Sequence, residues 1–297
     1  MINRRGILAG VGLALMPGVA MATPCSEAQH SGWLIPDAHA CRGSPSPPPP
    51  PPPGIYSHIV MVVLENKDYT DLVGSSAAPY INNTLIAGGK LLTNYVAISH
   101  PSEPNYDALY FGSDFGVTDD NVHTQSPPDL FTVLNAAGKT FVGYDERPTA
   151  TPLGKHDPWR FAPEGTSVEQ DFVNFPTTSA GFSALPIVSW VIPNQADDMH
   201  DGTIQAGDSW LQTHIDPYAQ WAKTNNSLLI VTVDENASNV DPNQVMTVLY
   251  GANVTAGSQD STAYNHYSTL ASTIVRVGIS QSSAPRNAAT ATLFALP

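Results

Sequence analysis

His58-Ile59-Val60-Met61-Val62-Val63-Leu64-Glu65-Asn66 decides the fold. After His58, six residues run apolar and β-rich to Leu64 without polar alternation, the mark of a strand buried on both faces, as in a parallel sheet. Similar runs follow at Thr140–Val142, Ile187–Ile192, Leu228–Val233 and Val245–Tyr250. Helical patterns lie between them, at Pro79–Ala87, Pro104–Tyr110, Leu130–Ala137, Ser209–Ala222 and Ser268–Val277. This alternation predicts an α/β fold: a central, mostly parallel sheet with helices on both faces.

In such sheets the site gathers where strands end at their carboxyl edge. The first run stops at Glu65-Asn66 and the fourth at Asp234-Glu235. Two buried strands thus deliver carboxylates to one edge, where they repel each other and need a cation. Oxygen donors suit a hard or borderline divalent ion such as Mg, Ca, Mn or Zn. Polar turn residues after a strand are common, so it is the joint occurrence that counts.

His100-Pro101-Ser102-Glu103-Pro104-Asn105-Tyr106 is the second constellation. Pro104 fits a first helical turn and Ser102 an N-cap. The plain reading is a capping serine. The sharper one is a nucleophile at a helix N-terminus, where backbone N–H groups and the dipole favour phosphate. A metal touching its oxygen would lower the hydroxyl pKa. Asn105 is placed to donate to a phosphoryl oxygen. Three histidines lie in polar loops near element ends, His156, His200 and His266, and could contact the phosphoryl group, protonate a leaving oxygen or bind metal. His100 could orient the serine loop. His30, His39, His58, His123 and His214 read as structural or surface residues.

The chain has 297 residues, 12 basic against 26 acidic, and a net charge of −14. Such acidity would be repelled by phosphate backbones, which argues against nucleic acid as a partner. Only 13% of residues are charged and 42% are apolar, so the bulk is neither disordered nor coiled coil. Met1–Ala22 reads as a cleaved signal peptide: Arg4-Arg5, an apolar run from Ile7 to Val19, then Ala20-Met21-Ala22. Asn3–Leu8 also fits a twin-arginine signal. The product would be exported, secreted or periplasmic, with no transmembrane segment after cleavage. Removing residues 1–22 leaves 10 basic against 26 acidic residues, −16 net. Residues 23–53 hold Cys25 and Cys41, most simply a small disulfide loop. The prolines from Pro47 to Pro53 end that segment as a stiff spacer. The catalytic domain would then span residues 54–297.

Together, Leu64-Glu65-Asn66, His100–Tyr106, Lys155-His156-Asp157-Pro158-Trp159, Ile192-Pro193-Asn194 through Asp198-Met199-His200-Asp201-Gly202, and Val233-Asp234-Glu235 resemble the bacterial phosphoesterase family. That family includes secreted acid phosphatases and phosphocholine-type phospholipases C and belongs to the alkaline-phosphatase superfamily. Trp221–Thr232 carries the strongest likeness, to its secreted acid phosphatases. The resemblance spans roughly Ser57 to Gly278. It implies metal ligation by Glu65, Asn66, Asp234 and Glu235. Ser102 would be the metal-bound nucleophile forming a phosphoserine. Asn105, His156, His200 and His266 would surround the phosphoryl group, with His200 or His266 protonating the leaving oxygen. Asp198 would orient His200 or complete a second metal site. The superfamily's Asp-His metal pair is replaced here by Asp234-Glu235, which favours one divalent ion of unknown identity over two. The implied function is a secreted metal-dependent phosphomonoesterase acting on small phosphate esters or phospholipid headgroups such as phosphoinositides. A phospholipase C-type phosphodiesterase, or a non-catalytic exported binding protein, are the alternatives.

Overall fold

The computed structural model describes residues 54–146 and 154–296; the signal peptide, the cysteine segment and the proline run lie outside them. In chain order the strands and α-helices are β1 (His58–Leu64), α1 (Tyr69–Leu72), β2 (Lys90–Leu92), β3 (Tyr95–Val96), α2 (Ser102–Phe111), α3 (Leu130–Ala136), β4 (Phe141–Asp145), β5 (Glu169–Asp171), α4 (Ser179–Phe182), β6 (Val188–Ile192), α5 (Ile204–Trp210), α6 (Asp216–Ala222), β7 (Ser227–Val233), β8 (Thr247–Gly251), β9 (Ser258–Asp260), β10 (Tyr264–Asn265) and α7 (His266–Arg276). Short 3-10 turns and two π-helical stretches, Ile81–Ile86 and Leu211–Ile215, complete the helical content. The second joins α5 to α6, so the helix expected at Ser209–Ala222 begins one turn earlier.

Eight strands form one sheet in the order β5-β4-β6-β1-β7-β8-β2-β9. β1 pairs in parallel with both β6 and β7, and β4 continues the parallel half. β8 runs antiparallel to β7 and β2, at the other side of the sheet. β3 and β10 form a separate two-stranded ribbon. Every residue of β6, β7 and β8, and every residue of β1 after His58, is buried. Successive side chains point to opposite faces, so both faces of the sheet are covered. This is why these runs are continuously apolar.

The topology places the carboxyl ends of β1, β4, β6 and β7 along one edge. Two backbone bonds tie that edge together: Glu65 N donates to Asp198 O at 2.9 Å, and Asp234 N donates to Leu64 O at 3.0 Å. Under the sheet edge, Trp159 and Trp190 pack edge to face and both are fully buried. Gly143 on β4 has no room for a side chain, since a Cβ there would meet the Trp159 indole at 2.4 Å. That close approach seats the 3-10 turns Gly154–His156 and Pro158–Phe161 against the sheet.

Candidate active site

Ser102 is the first residue of α2, and Pro101 is the cap. Its hydroxyl makes no capping bond, in contrast to the capping role expected from sequence. It donates instead toward two carboxylates, Glu65 Oε2 and Glu235 Oε1, each 3.3 Å away. The tips of β1 and β7 therefore meet the start of α2, the convergence that the strand-end pattern predicts. All ten residues of α2 are buried, and Gly112 closes the helix in the left-handed conformation. The helix is thus held from all sides, and Ser102 is 1% exposed.

Glu65 is fully buried and serves several partners. Its Oε1 accepts the Tyr106 hydroxyl and lies 3.2 Å from His156 Nε2. That imidazole nitrogen is buried yet makes no aligned hydrogen bond. The His156 ring stacks on Tyr106 with centroids 5.0 Å apart. Asp198 closes the group: Glu65, His156 and Asp198 each offer a ligand atom, all within 4.8 Å of one another. Asp198 Oδ1 accepts the backbone N–H of His200 at 2.7 Å, while its Oδ2 is buried without a partner. Asp234 repeats the pattern, with Oδ1 accepting the Asn66 N–H at 3.0 Å and Oδ2 buried without a partner.

Four carboxylates share this small volume, and burial dominates their titration. Desolvation, with Asp234 and Asp198 adding repulsion, pushes Glu65 well above the usual range. Burial raises Asp198 to about 8, and it raises Asp234 to about 7 with help from Glu235. Glu235 also rises to about 7, mainly by burial. Burial, then the charges of Lys155 and His200, holds His156 well below its ordinary value, so the imidazole is neutral and free to ligate. Unpartnered carboxylate oxygens, a neutral imidazole and mutual repulsion are what a divalent cation would relieve, and the donor set fits one.

Other expected residues take different places. Asn66 lines the cleft in front of Ser102. Glu235 is bonded to Ser102 through Oε1 and to His100 Nδ1 through Oε2, so His100 braces the serine loop. Burial lowers His100 as it raises Glu235, driving both partners toward neutrality. His200 is half-buried on the cleft wall, with Nδ1 2.8 Å from Asp201 Oδ1.

Three residues differ from the sequence expectation of phosphoryl contact, the first being His156, whose ring nitrogen joins the Glu65 and Asp198 carboxylates instead. The Asn105 amide is consumed by its own loop: Oδ1 accepts the N–H groups of Ile98 and Ser99, and Nδ2 donates to Ser99 O and Pro101 O. It shapes the serine loop. His266 is fully buried, with Nδ1 on the Tyr95 hydroxyl at 2.9 Å and Nε2 on the Asp234 carbonyl at 2.6 Å. Desolvation lowers it to about 4. It braces the β7 tip from within the core.

The sequence reading missed Tyr106, Lys155 and Asp120 as site residues. Lys155 Nζ pairs with Asp120 Oδ2 at 2.8 Å beside the cleft. Tyr106 was legible as one helical turn past Ser102, the spacing that puts two side chains on one face.

A sequence model described as the phosphoesterase family matches residues 76–279, which leaves Glu65 and Asn66 outside the match. A phosphatidylinositol-3-phosphatase of Mycobacterium tuberculosis is 42% identical over 227 residues, 72% of this chain and 75% of that protein. An acid phosphatase of Aspergillus fumigatus is 30% identical over 287 residues, 87% of this chain and 63% of that protein. Among solved structures, a Vibrio parahaemolyticus protein of the alkaline phosphatase superfamily aligns with TM-score 0.55 at 13% identity, covering 76% of this chain and 67% of that one. The lipoteichoic acid synthase LtaP of Listeria monocytogenes aligns with TM-score 0.56 at 9% identity, over 80% and 76%. At these identities the structural likeness establishes the alkaline-phosphatase-like fold. With the family match and the mycobacterial relative taken together, the chain belongs to the phosphoesterase family of hydrolases acting on phosphoric ester bonds.

Proposed function

We propose that this chain is an exported, metal-dependent phosphomonoesterase that works through a phosphoserine at Ser102. One observation carries the reading: the Ser102 hydroxyl sits 3.3 Å from carboxylates of two different strand tips, Glu65 and Glu235. Substrates are small phosphate esters or phosphorylated lipid headgroups, phosphoinositides among them, the last by analogy with the name of the mycobacterial relative.

Glu65, His156, Asp198 and Asp234 would hold a single divalent ion, with Asn66 and Glu235 as further oxygen donors. Bound there, the ion supplies positive charge that offsets the carboxylates and polarises phosphoryl oxygens. Glu235 Oε1 accepts the serine hydroxyl's hydrogen bond, which leaves an Oγ lone pair for the cleft. The N–H groups at the start of α2 favour the anionic phosphoryl group. Oγ attacks phosphorus as its proton passes to Glu235 Oε1, the bond from phosphorus to the ester oxygen breaks, and that oxygen leaves with a proton from His200. Water then cleaves the serine phosphate. His100, Asn105, Tyr106 and His266 position these groups.

Export rests on Met1–Ala22, and no helix of the described residues is long and apolar enough to cross a membrane. The test is acid-quenched turnover with p-nitrophenyl phosphate, with and without chelator. Phosphate recovered on the Ser102 peptide, and activity lost to chelator and restored by a divalent ion, are expected. Metal-independent turnover with no phosphopeptide overturns the reading.

A further inference from the structure

The cleft over Ser102 has a volume of about 380 Å³ and is lined by Asn66, Lys67, Asp120, His200 and Glu235, among others. A phosphomonoester differs from a diester in this cleft by a second negative charge on a non-bridging oxygen. In a chain of net charge −14, a cationic side chain on the cleft wall is the group suited to meet that added charge. Lys155 is committed, since its ammonium is 2.8 Å from Asp120 and its side chain is 11% exposed.

Lys67 is different. Its Nζ donates to the carbonyl of its own neighbour, Asn66, at 3.1 Å; its charge reaches Asp198 at longer range, but it makes no direct ion pair with a carboxylate among the described residues. An ammonium has three donors, so two remain for a ligand. The backbone explains its position. Asn66 adopts φ 54, and its N–H is pinned by Asp234 Oδ1 at 3.0 Å. This left-handed turn ends β1 so that Glu65 enters the buried cluster while Lys67, two residues on, lines the cleft.

We propose that Lys67 selects phosphomonoesters by receiving the non-bridging oxygen that carries the second charge. This rests on the reading of Ser102 as the centre of ester hydrolysis. A charge-assisted hydrogen bond of this kind accounts for a 10- to 100-fold effect, roughly.

The experiment uses the full chain supplied with a divalent ion, p-nitrophenyl phosphate as monoester, bis-p-nitrophenyl phosphate as diester, and inorganic phosphate as inhibitor. Lys67→Met is expected to raise the monoester KM and the phosphate inhibition constant by about 10- to 100-fold, with a smaller change in kcat. The monoester-to-diester ratio of kcat/KM should fall by about tenfold. Lys67→Gln, equally long but uncharged, should match Met, and Lys67→Arg should stay near wild type. Wild-type KM and phosphate inhibition in the Met or Gln variant overturn the proposal, as does an equal loss on both esters. Calorimetric titration with inorganic phosphate reads the same contact without turnover. Wild type that binds phosphate but hydrolyses neither ester refutes the hydrolytic reading, whereas equal phosphate affinity in wild type and Lys67→Met refutes the role of Lys67.

Discussion

The Ser102 hydroxyl and the Glu65 carboxylate lie 3.3 Å apart although 37 positions separate them in the chain. The contact joins the first turn of a buried helix to the tip of the central strand. Ser102→Ala removes the hydroxyl and leaves the carboxylates in place. Hydrolysis of p-nitrophenyl phosphate should fall by roughly 10³-fold or more, as for other lost nucleophiles. The melting temperature should move by no more than about 4 °C. Residual activity above a tenth of wild type would exclude Ser102 as nucleophile.

Burial raises Asp198, Asp234, Glu235 and Glu65 above ordinary carboxylate values, Asp198 to about 8 and Asp234 and Glu235 to about 7. The folded chelated protein therefore binds more protons than the unfolded chain between these values and the unfolded pKa near 4. The stability from these groups is present below about pH 4 and is lost as pH rises through about 7 to 8. A divalent ion removes the penalty of ionising them. The gap in melting temperature between metal-loaded and chelated protein should therefore be small at pH 5 and widen toward pH 8. A gap that stays constant across that range contradicts the shared carboxylate site.

His200 reaches the cleft, whereas His266 is sealed inside. If His200 protonates the leaving oxygen, its loss matters most when that oxygen is basic. His200→Ala should cost roughly 10²- to 10⁴-fold on an alkyl phosphate. It should cost far less on p-nitrophenyl phosphate, whose leaving group needs no proton. Equal losses on both substrates would move the acid elsewhere.

His266 holds the Asp234 carbonyl and the Tyr95 hydroxyl from the core. Replacing it by alanine leaves the Asp234 carbonyl without this donor and opens a cavity, while the Tyr95 hydroxyl keeps Thr269 Oγ1 as its partner. The expected cost is about 2–4 kcal/mol of stability, read by denaturant titration. Because burial lowers His266 to about 4, it should not shape the pH–rate profile above pH 5. A His266→Gln profile displaced from wild type in that range would give this ring a chemical role.

Tyr106 donates to Glu65 and stacks on His156, linking two candidate ligands. Tyr106→Phe keeps the ring and loses the hydroxyl. Divalent-ion affinity, measured by competition with a chelator, should weaken about 10-fold, the usual cost of removing a hydrogen bond to a ligand. Unchanged affinity would reduce Tyr106 to a packing residue.

Each strand's own pattern carried far. The apolar run ending in Glu65-Asn66 and the run ending in Asp234-Glu235 identified two parallel strands and the edge on which they deposit acid. A strand buried on both faces leaves an unbroken apolar signature, and side-chain period follows directly from backbone geometry. Ser102 before a Pro-containing first turn was readable for the same local reason. What the pattern could not contain is which distant side chains meet. His156 reaches Glu65 only because Trp159 packs on Gly143, and His266 is turned into the core only because Tyr95 and the Asp234 carbonyl take both of its nitrogens. The Asn105 amide likewise finds its partners in the backbone of its own loop. Local propensity acts over a few residues, whereas these pairings are settled by crossovers that bring separate elements to one sheet edge. The tertiary structure therefore decided which of the polar residues face the cleft and which brace it.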